Sequence, residues 1–368
     1  MDFALSDEQE ELGRTLRSFL QTRSAESDVR RWMADEQGYD AEVWRLMARQ
    51  LGLQGLVLPE EYGGAGYGMV ELGVVMEEMG RALLCAPFLS TVVLAATAVI
   101  TSKDAKMSAD LLPGIAAGDT IATLAPLEAG EADLTARNLD ETETGWRIHG
   151  HVDQVLDGHV ADVLLLAADT ESGRSLFAVD ATAPGLVRTP METLDLTRRL
   201  AALRSHDVPA RLVGAPGAAD EVLRRTLDLA AIALAAEQVG GAAAVLDMAV
   251  EYAGTRNQFG RPIGAFQAIK HHCADMLVAV ESARASARYA AWAAAVGETD
   301  VSLIASATRA HCSDAFTKCA ETNVQIHGGI GFTWEHPAHL YLKRAKGSQV
   351  LLGSPTWHRE AVATLAGF

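Results

Sequence analysis

The chain has few cysteines, and none in a metal-binding arrangement. Cys85, Cys273, Cys312 and Cys319 are the only four in 368 residues. None forms a C-x-x-C pair, so neither a zinc site nor a disulfide framework is expected; buried thiols in a reducing cytoplasm are. No apolar run of about eighteen residues lacks both charges and turn signals, and no membrane span is expected. No targeting segment is expected, since Asp2, Asp7 and Glu8 make the opening residues acidic where a secretion signal is basic. Positive charge is also scarce. Lys and Arg number 31 against 48 Asp and Glu, a net charge of -17, and such a surface repels nucleic-acid phosphates and anionic lipid. No short-period repeat appears, so a solenoid is not expected. Gly63-Gly64-Ala65-Gly66 lacks the Lys-Ser/Thr of a phosphate loop and reads as a turn.

What is present is apolar material. Hydrophobic residues make up 49% of the chain, ample for a buried core. The length suggests two or three domains, and three regions differ in pattern. Residues 1–120 read as helical. Ser6 and Gln9 form a capping-box pattern, Leu12, Leu16 and Leu20 follow on one face, and a further helix is expected over Met69–Leu84. Residues 121–214 read as short strands, among them Trp146–His149, Val163–Ala167 and Ser175–Val179. Turns at Glu171–Arg174 and Ala183–Gly185 separate them, which predicts an all-β sandwich or barrel. Residues 215–368 are helical again. Asp220 and Glu221 open a helix whose Leu223, Leu227, Ala230, Leu234 and Gly241 form one apolar stripe. Helices, then strands, then helices is not the alternation of a doubly wound fold.

Two segments carry a chemical signal. In Thr255–Gly264, Arg256 offers a guanidinium able to hold a phosphate through paired hydrogen bonds, and Phe259 a flat face for an aromatic ring. The same segment also reads as an ordinary connection with a surface arginine. Gln325–Phe332 is glycine-dense. Its backbone N–H groups suit a pyrophosphate, though a helix-ending turn accounts for the glycines equally.

Together, R-x-x-F-G-x-P-I at Arg256 and Q-x-x-G-G-x-G-F at Gln325, with Pro59–Gly64 and the helix–β–helix order, make the chain resemble the acyl-CoA dehydrogenase family over essentially its whole length. The resemblance implies an α+β multidomain fold: an N-terminal helical domain (1–120), a middle β-sandwich or barrel (121–214) and a C-terminal four-helix bundle (215–368). It implies FAD lying across a dimer interface, and oxidation of an acyl-CoA thioester to the 2-enoyl-CoA. One subunit's β-domain holds the flavin ring, and the neighbour's two helical segments hold the ADP half. On that pattern Arg256, Gln258, Phe259, Gln267, Gln325, Gly328 and Gly329 would serve a partner's FAD.

The chain departs from the family at the catalytic base. Ala345-Lys346-Gly347-Ser348-Gln349 aligns with the segment preceding the usual glutamate, and Leu352 stands in the glutamate's place. Leucine accepts no proton. The alternative glutamate position falls on Ala230 and Ala231, with Asp228 nearby. The β-domain segments differ too. Leu124–Asp133 has lost the family's hydroxyls and gained Glu128 and Glu131. Gln154-Val155-Leu156-Asp157-Gly158 lacks the aromatic and the threonine expected over a flavin.

Parts acting on the chain's own flavin and substrate are altered, and parts acting across the interface are kept. The expectation is a subunit without a catalytic residue, paired with a catalytic relative. The plan is similar to that of actinobacterial α2β2 acyl-CoA dehydrogenases of steroid side-chain catabolism. Acyl-CoA would sit in the partner's site, and no nucleic acid, membrane or metal is expected. Two other readings stand beside it: a self-sufficient enzyme using Glu237 as base, and a flavin-free scaffold or acyl-CoA-binding protein. Glu237 also reads as a hydrogen-bonded glutamate at a helix contact. His271-His272-Cys273 and His311-Cys312 are sequence neighbours whose side chains diverge on a helix, which disfavours a shared metal.

Overall fold

A computed structural model describes residues 4–125, 132–139 and 145–368. Its first region holds α1 (Asp7–Arg23), α2 (Glu26–Ala34), α3 (Ala41–Leu51), α4 (Met69–Arg81), α5 (Thr97–Ser102) and α6 (Ala105–Ala117), with a π-helical segment, Leu89–Ala96, leading into α5. The middle holds β1 (Ala122–Ala125), β2 (Ala132–Asn138), β3 (Trp146–Leu156), β4 (Val163–Thr170), β5 (Gly173–Asp180), β6 (Leu186–Met191) and β7 (Leu200–Val213). The last region holds α7 (Ala219–Thr255), the two-residue strands β8 (Asn257–Gln258) and β9 (Arg261–Pro262), α8 (Gln267–Val296), α9 (Val301–His327), α10 (Ala338–Val350) and α11 (Pro355–Leu365).

The chain packs as two compact units. One is Trp32–Gly68 with Cys85–Ala230; the other is Met1–Arg31, Met69–Leu84 and Ala231–Phe368. The first contains the β-domain. Its strands run β4-β2-β3-β7-β5, and β5 pairs back onto β4, closing a barrel. β1 extends β2's side along the start of β4, and β6 pairs the start of β7. Along β7, Ala201, Leu203 and Ser205 face inward at every second position. Asp207 takes a left-handed backbone (φ 53°) and resets the alternation, so that Val208 and Ala210 are buried next. In the same unit Trp44 Nε1 donates to Gly118 O at 3.0 Å, and Gln54 Nε2 to Trp44 O at 2.7 Å. The Gly63–Gly66 segment uses its own amides: Gly64, Ala65 and Gly66 donate to Pro59, Gly55 and Leu58 carbonyls. Those N–H groups are spent, as the turn reading requires.

In the second unit, α1 opens with the expected capping box: Gln9 N–H donates to Ser6 Oγ, and Ser6 N–H to Gln9 Oε1. Leu16 and Leu20 are buried and Leu12 is partly so. The helix from Met69 stops at Arg81, short of Leu84, because Leu83 adopts a left-handed backbone (φ 47°). α4 crosses α7 at two glycines. A Cβ on Gly80 would lie 1.9 Å from Glu237 O, and one on Gly240 1.7 Å from Glu77 O; only glycine permits this approach. α7 differs from the single-stripe expectation. Ala230 to Ala243 are buried on every side, so no polar face exists there to define a stripe. α7 alone among the described residues is long and apolar enough to cross a membrane, and 89% of its apolar window is buried within the protein, the character of a core helix.

Candidate functional site

The seven residues marked out in the two helical segments lie in the second unit, and all are exposed. α7 ends at Thr255, with Arg256 N–H still bonded to Tyr252 O at 2.9 Å. The chain then turns back through β8 and β9, which pair Asn257 with Pro262 and Gln258 with Arg261. The turn between them is Phe259 (φ 52°) and Gly260 (φ 77°), both left-handed as a tight hairpin of this kind demands. Ile263 N–H closes the loop onto Arg256 O at 2.8 Å. Phe259 is thus held out with its ring 91% exposed, edge-on to Phe266 at 6.1 Å between centroids. Arg261 lies 4.2 Å from the Phe266 centroid, a cation–π contact that steadies the hairpin. Gln267 is the first residue of α8. Among the described residues the Arg256 guanidinium has no side-chain partner.

The second segment closes α9. Gly328 N–H caps the helix on Gln325 and Val324 carbonyls at φ 62°, ψ −140°, a conformation reserved for glycine. Gly328–Phe332 forms a 3-10 turn, and no atom lies within 4 Å of where a Cβ on Gly328 or Gly329 would stand. The two segments adjoin. Tyr252, one turn before Arg256, stacks on His327 with centroids 4.2 Å apart, and Tyr252, Ile263 and Ile269 pack on a core that includes Leu246, Met276 and Ile326. An arginine with no side-chain partner among the described residues, an exposed aromatic face and two open glycines therefore sit along one edge. That set fits the pyrophosphate and adenine of a dinucleotide lying outside this subunit.

The position expected for a base is built differently. α10 ends at Val350, and Leu352 takes a left-handed backbone (φ 57°) with its side chain 5% exposed. Arg309, fully buried on α9, donates to Leu351 O at 2.8 Å, to Ser348 O and to Gln238 Oε1 at 2.9 Å. His358 Nε2 donates to Leu352 O at 3.0 Å, and burial, then Arg309, pushes the imidazole down to about 4. The turn is held by a buried arginine and a neutral histidine around an apolar side chain. Glu237 is buried and accepts from Arg344 Nη1 at 2.7 Å, Arg344 being buried too. The helix-contact reading of Glu237 is the one observed. Asp228 pairs with Arg224 at 3.3 Å, and Ala230 and Ala231 are buried.

In the β-domain, Leu156 is buried at 2% exposure and its carbonyl accepts from Thr123 Oγ1 at 2.6 Å. Gln154, in an irregular stretch between Val152 and Val155, is exposed at φ 60°. Ser90 Oγ donates to Asp157 Oδ2 at 2.6 Å. Pro126 to Glu131, including Glu128 and Glu131, lie outside the described residues, whereas Leu124 and Asp133 are described on β1 and β2. Cys85, Cys312 and Cys319 are buried, burial raising the thiols of Cys312 to about 12 and Cys319 to about 11; Cys273 is half-buried. Among the described residues no cluster of metal-ligating side chains occurs. Sequence reasoning missed Arg309, His358 and the Tyr252–His327 stack. The available signal for the stack was spacing: Tyr252 precedes Arg256 by one helical turn, and His327 lies inside the glycine-dense segment.

Comparison with known proteins agrees with these observations. The acyl-CoA dehydrogenase N-terminal domain matches residues 6–119 and the C-terminal domain residues 221–366. Acyl-CoA dehydrogenase IpdE2 of Mycobacterium tuberculosis is 38% identical over 353 residues, covering 95% of this chain and 94% of that protein. Among solved structures, the ChsE4–ChsE5 complex from Mycobacterium tuberculosis superposes with TM-score 0.91 at 31% identity over 100% of both chains. The Tcur3481–Tcur3483 steroid ACAD G363A variant does so with TM-score 0.88 at 33% identity over 98% of each. With an N-terminal helical domain, a middle barrel and a C-terminal helical domain all in place, the chain belongs to the acyl-CoA dehydrogenase family, an FAD-binding family.

Proposed function

We propose that this chain is the non-catalytic subunit of a heteromeric acyl-CoA dehydrogenase and completes the FAD site of a catalytic partner. The substrate class that goes with this reading is an acyl-CoA thioester, with the CoA ester of a steroid side chain as the candidate. The observation that carries the reading is a contrast within one unit. Leu352 is buried and apolar where the family's base is expected, while Arg256, Phe259, Gly328 and Gly329 stand exposed along one edge. When bound, FAD supplies the hydride acceptor. This chain's part is binding: Arg256 would neutralise a pyrophosphate, Phe259 and Gln258 would contribute to holding the ADP half, Gln267 and Gln325 would offer amides, and the two glycines would admit close backbone approach. Similarity to a structure described as a steroid ACAD supports a steroid-type substrate, and similarity to the ChsE4–ChsE5 complex supports a related partner subunit.

Use of Glu237 as a base is disfavoured. Its carboxylate is buried against Arg344, and a base must reach substrate. Arg256→Ala in the co-expressed complex tests the main reading. Losing a charge-assisted contact costs about 1.5–3 kcal/mol, so FAD should bind about ten- to a hundredfold more weakly. Arg256→Lys should recover only part, since an ammonium lacks the planar fork. Unchanged flavin content and affinity in Arg256→Ala would refute the reading.

A further inference from the structure

A row of three rings links the two segments along this edge. Tyr252 on α7 stacks on His327 at the end of α9, with centroids 4.2 Å apart and planes 26° from parallel. His327 also meets His336, from the loop before α10, at 4.2 Å and 42°. His327 is only 4% exposed. Its Nδ1 lies 2.9 Å from Asn323 O; a carbonyl only accepts, so Nδ1 carries the proton. Asn323 is itself anchored, its Nδ2 donating to Met248 Sδ on α7 at 3.3 Å.

The glycine turn rests on the same histidine. A Cβ on Gly331 would lie 2.8 Å from His327 Cβ and 3.1 Å from Val324 O. Gly331 therefore presses the Gly328–Phe332 turn directly onto the base of the His327 side chain. One face of the problem is the arm that carries Arg256, set by Tyr252; the other is the turn that carries Gly328 and Gly329, set by Gly331. His327 touches both.

We infer that His327 is a positioning residue: its flat, buried ring fixes the distance between Arg256 and the Gly328–Gly329 turn. The inference rests on reading those residues as a flavin half-site. Ring shape, not charge, is what the geometry uses. Burial lowers the proton affinity of His327, and burial together with His327 lowers that of His336. The groups facing His327 are Tyr252 from α7 and His336 from the loop, with Glu26 and Arg30 of α2 acting on His336 in opposite directions. The two neutral imidazoles meet at a tilt without charge repulsion, and the Tyr252–His327 spacing is that of stacked rings.

Ring-keeping and ring-removing variants separate this role from general support. The measurement is FAD affinity of the co-expressed complex, by flavin fluorescence titration after removal of bound flavin. His327→Ala should weaken binding about tenfold or more, because misplacement of binding groups by about 1 Å is costly. His327→Phe, which keeps the ring but not the hydrogen bond, should stay within about threefold of the parent. Tyr252→Leu should weaken binding like His327→Ala, and the double variant should be no worse than either, since both break one contact. Phe and Ala variants of equal affinity would overturn the inference. So would an unchanged affinity in His327→Ala while Arg256→Ala weakens binding. If Arg256→Ala also changes nothing, it is the half-site reading that falls. Should His327→Ala not assemble, Tyr252→Phe against Tyr252→Leu asks the same question from the other ring: retained against weakened affinity is expected, and equal affinities overturn the proposal.

Discussion

Phe259 combines a left-handed backbone with a ring almost wholly in solvent. Neither feature stabilises the isolated chain: the backbone costs about 1–2 kcal/mol for a residue with a Cβ, and an exposed ring buries little. Strain at an exposed aromatic points to a task outside the subunit. Phe259→Asn tests this, because asparagine tolerates the left-handed region. Thermal unfolding of the chain alone should be unchanged or shifted upward by the equivalent of up to about 1 kcal/mol. FAD affinity of the complex should fall severalfold. Lower stability with unchanged flavin binding would make Phe259 a structural residue. The sequence marked Phe259 through its motif, but the cost of its backbone is visible only in three dimensions. For Glu237 the residue pattern left two readings open. The partner that decides between them, Arg344, is 107 positions away, beyond any local pattern.

At the scale of elements, local rules were legible and long-range ones were not. The capping box of α1 follows from Ser6 and Gln9 alone, and the strands around Trp146, Val163 and Ser175 follow from short apolar runs bounded by turns. α7 departs from a one-stripe helix, being buried all round from Ala230 to Ala243. Its alanines and glycines serve close crossings, which only the Gly80 and Gly240 contacts with α7 and α4 reveal. The turn after α10 was likewise opaque, because His358 and Arg309 reach it from α11 and α9. That turn has a pH signature. The folded state holds His358 near 4 against an ordinary 6.5, so below 6.5 the unfolded chain takes up a proton that the folded chain refuses. Stability from this residue is full above 6.5 and is lost as pH falls toward 4. His358→Gln, which keeps a donor for Leu352 O, should flatten the dependence of the urea midpoint over that window. A wild-type slope retained in the variant would assign the pH sensitivity to other groups.

For the whole molecule, the helix–β–helix order was legible from composition shifts, and closure of the barrel was left open between sandwich and barrel. Closure depends on β5 pairing back onto β4 while β7 pairs β5 at its far end, a register that no single strand announces. The grouping into two compact units was also hidden, because α1 and α4 join residues 231–368 from far upstream. Flavin stoichiometry is where the two halves of the molecule make opposite predictions. The edge formed by Arg256, Phe259, Gly328 and Gly329 is equipped to hold an ADP group. The β-domain segment expected to cover a flavin presents exposed Gln154, a Leu156 folded into the core and an Asp157 already bonded to Ser90. In a heterodimer whose partner has the complementary β-domain, one composite site has both halves and the other lacks its flavin-covering half. The purified complex should therefore carry one FAD per heterodimer, measured by flavin absorbance against protein concentration after denaturation. The chain alone should purify nearly colourless and oxidise no acyl-CoA, because it supplies the ADP edge, its β-domain lacks the aromatic and threonine expected over a flavin, and Leu352 accepts no proton. Two flavins per heterodimer would show that this β-domain holds a ring after all. A yellow, active homo-oligomer would show in addition that a base outside the Leu352 turn serves the reaction.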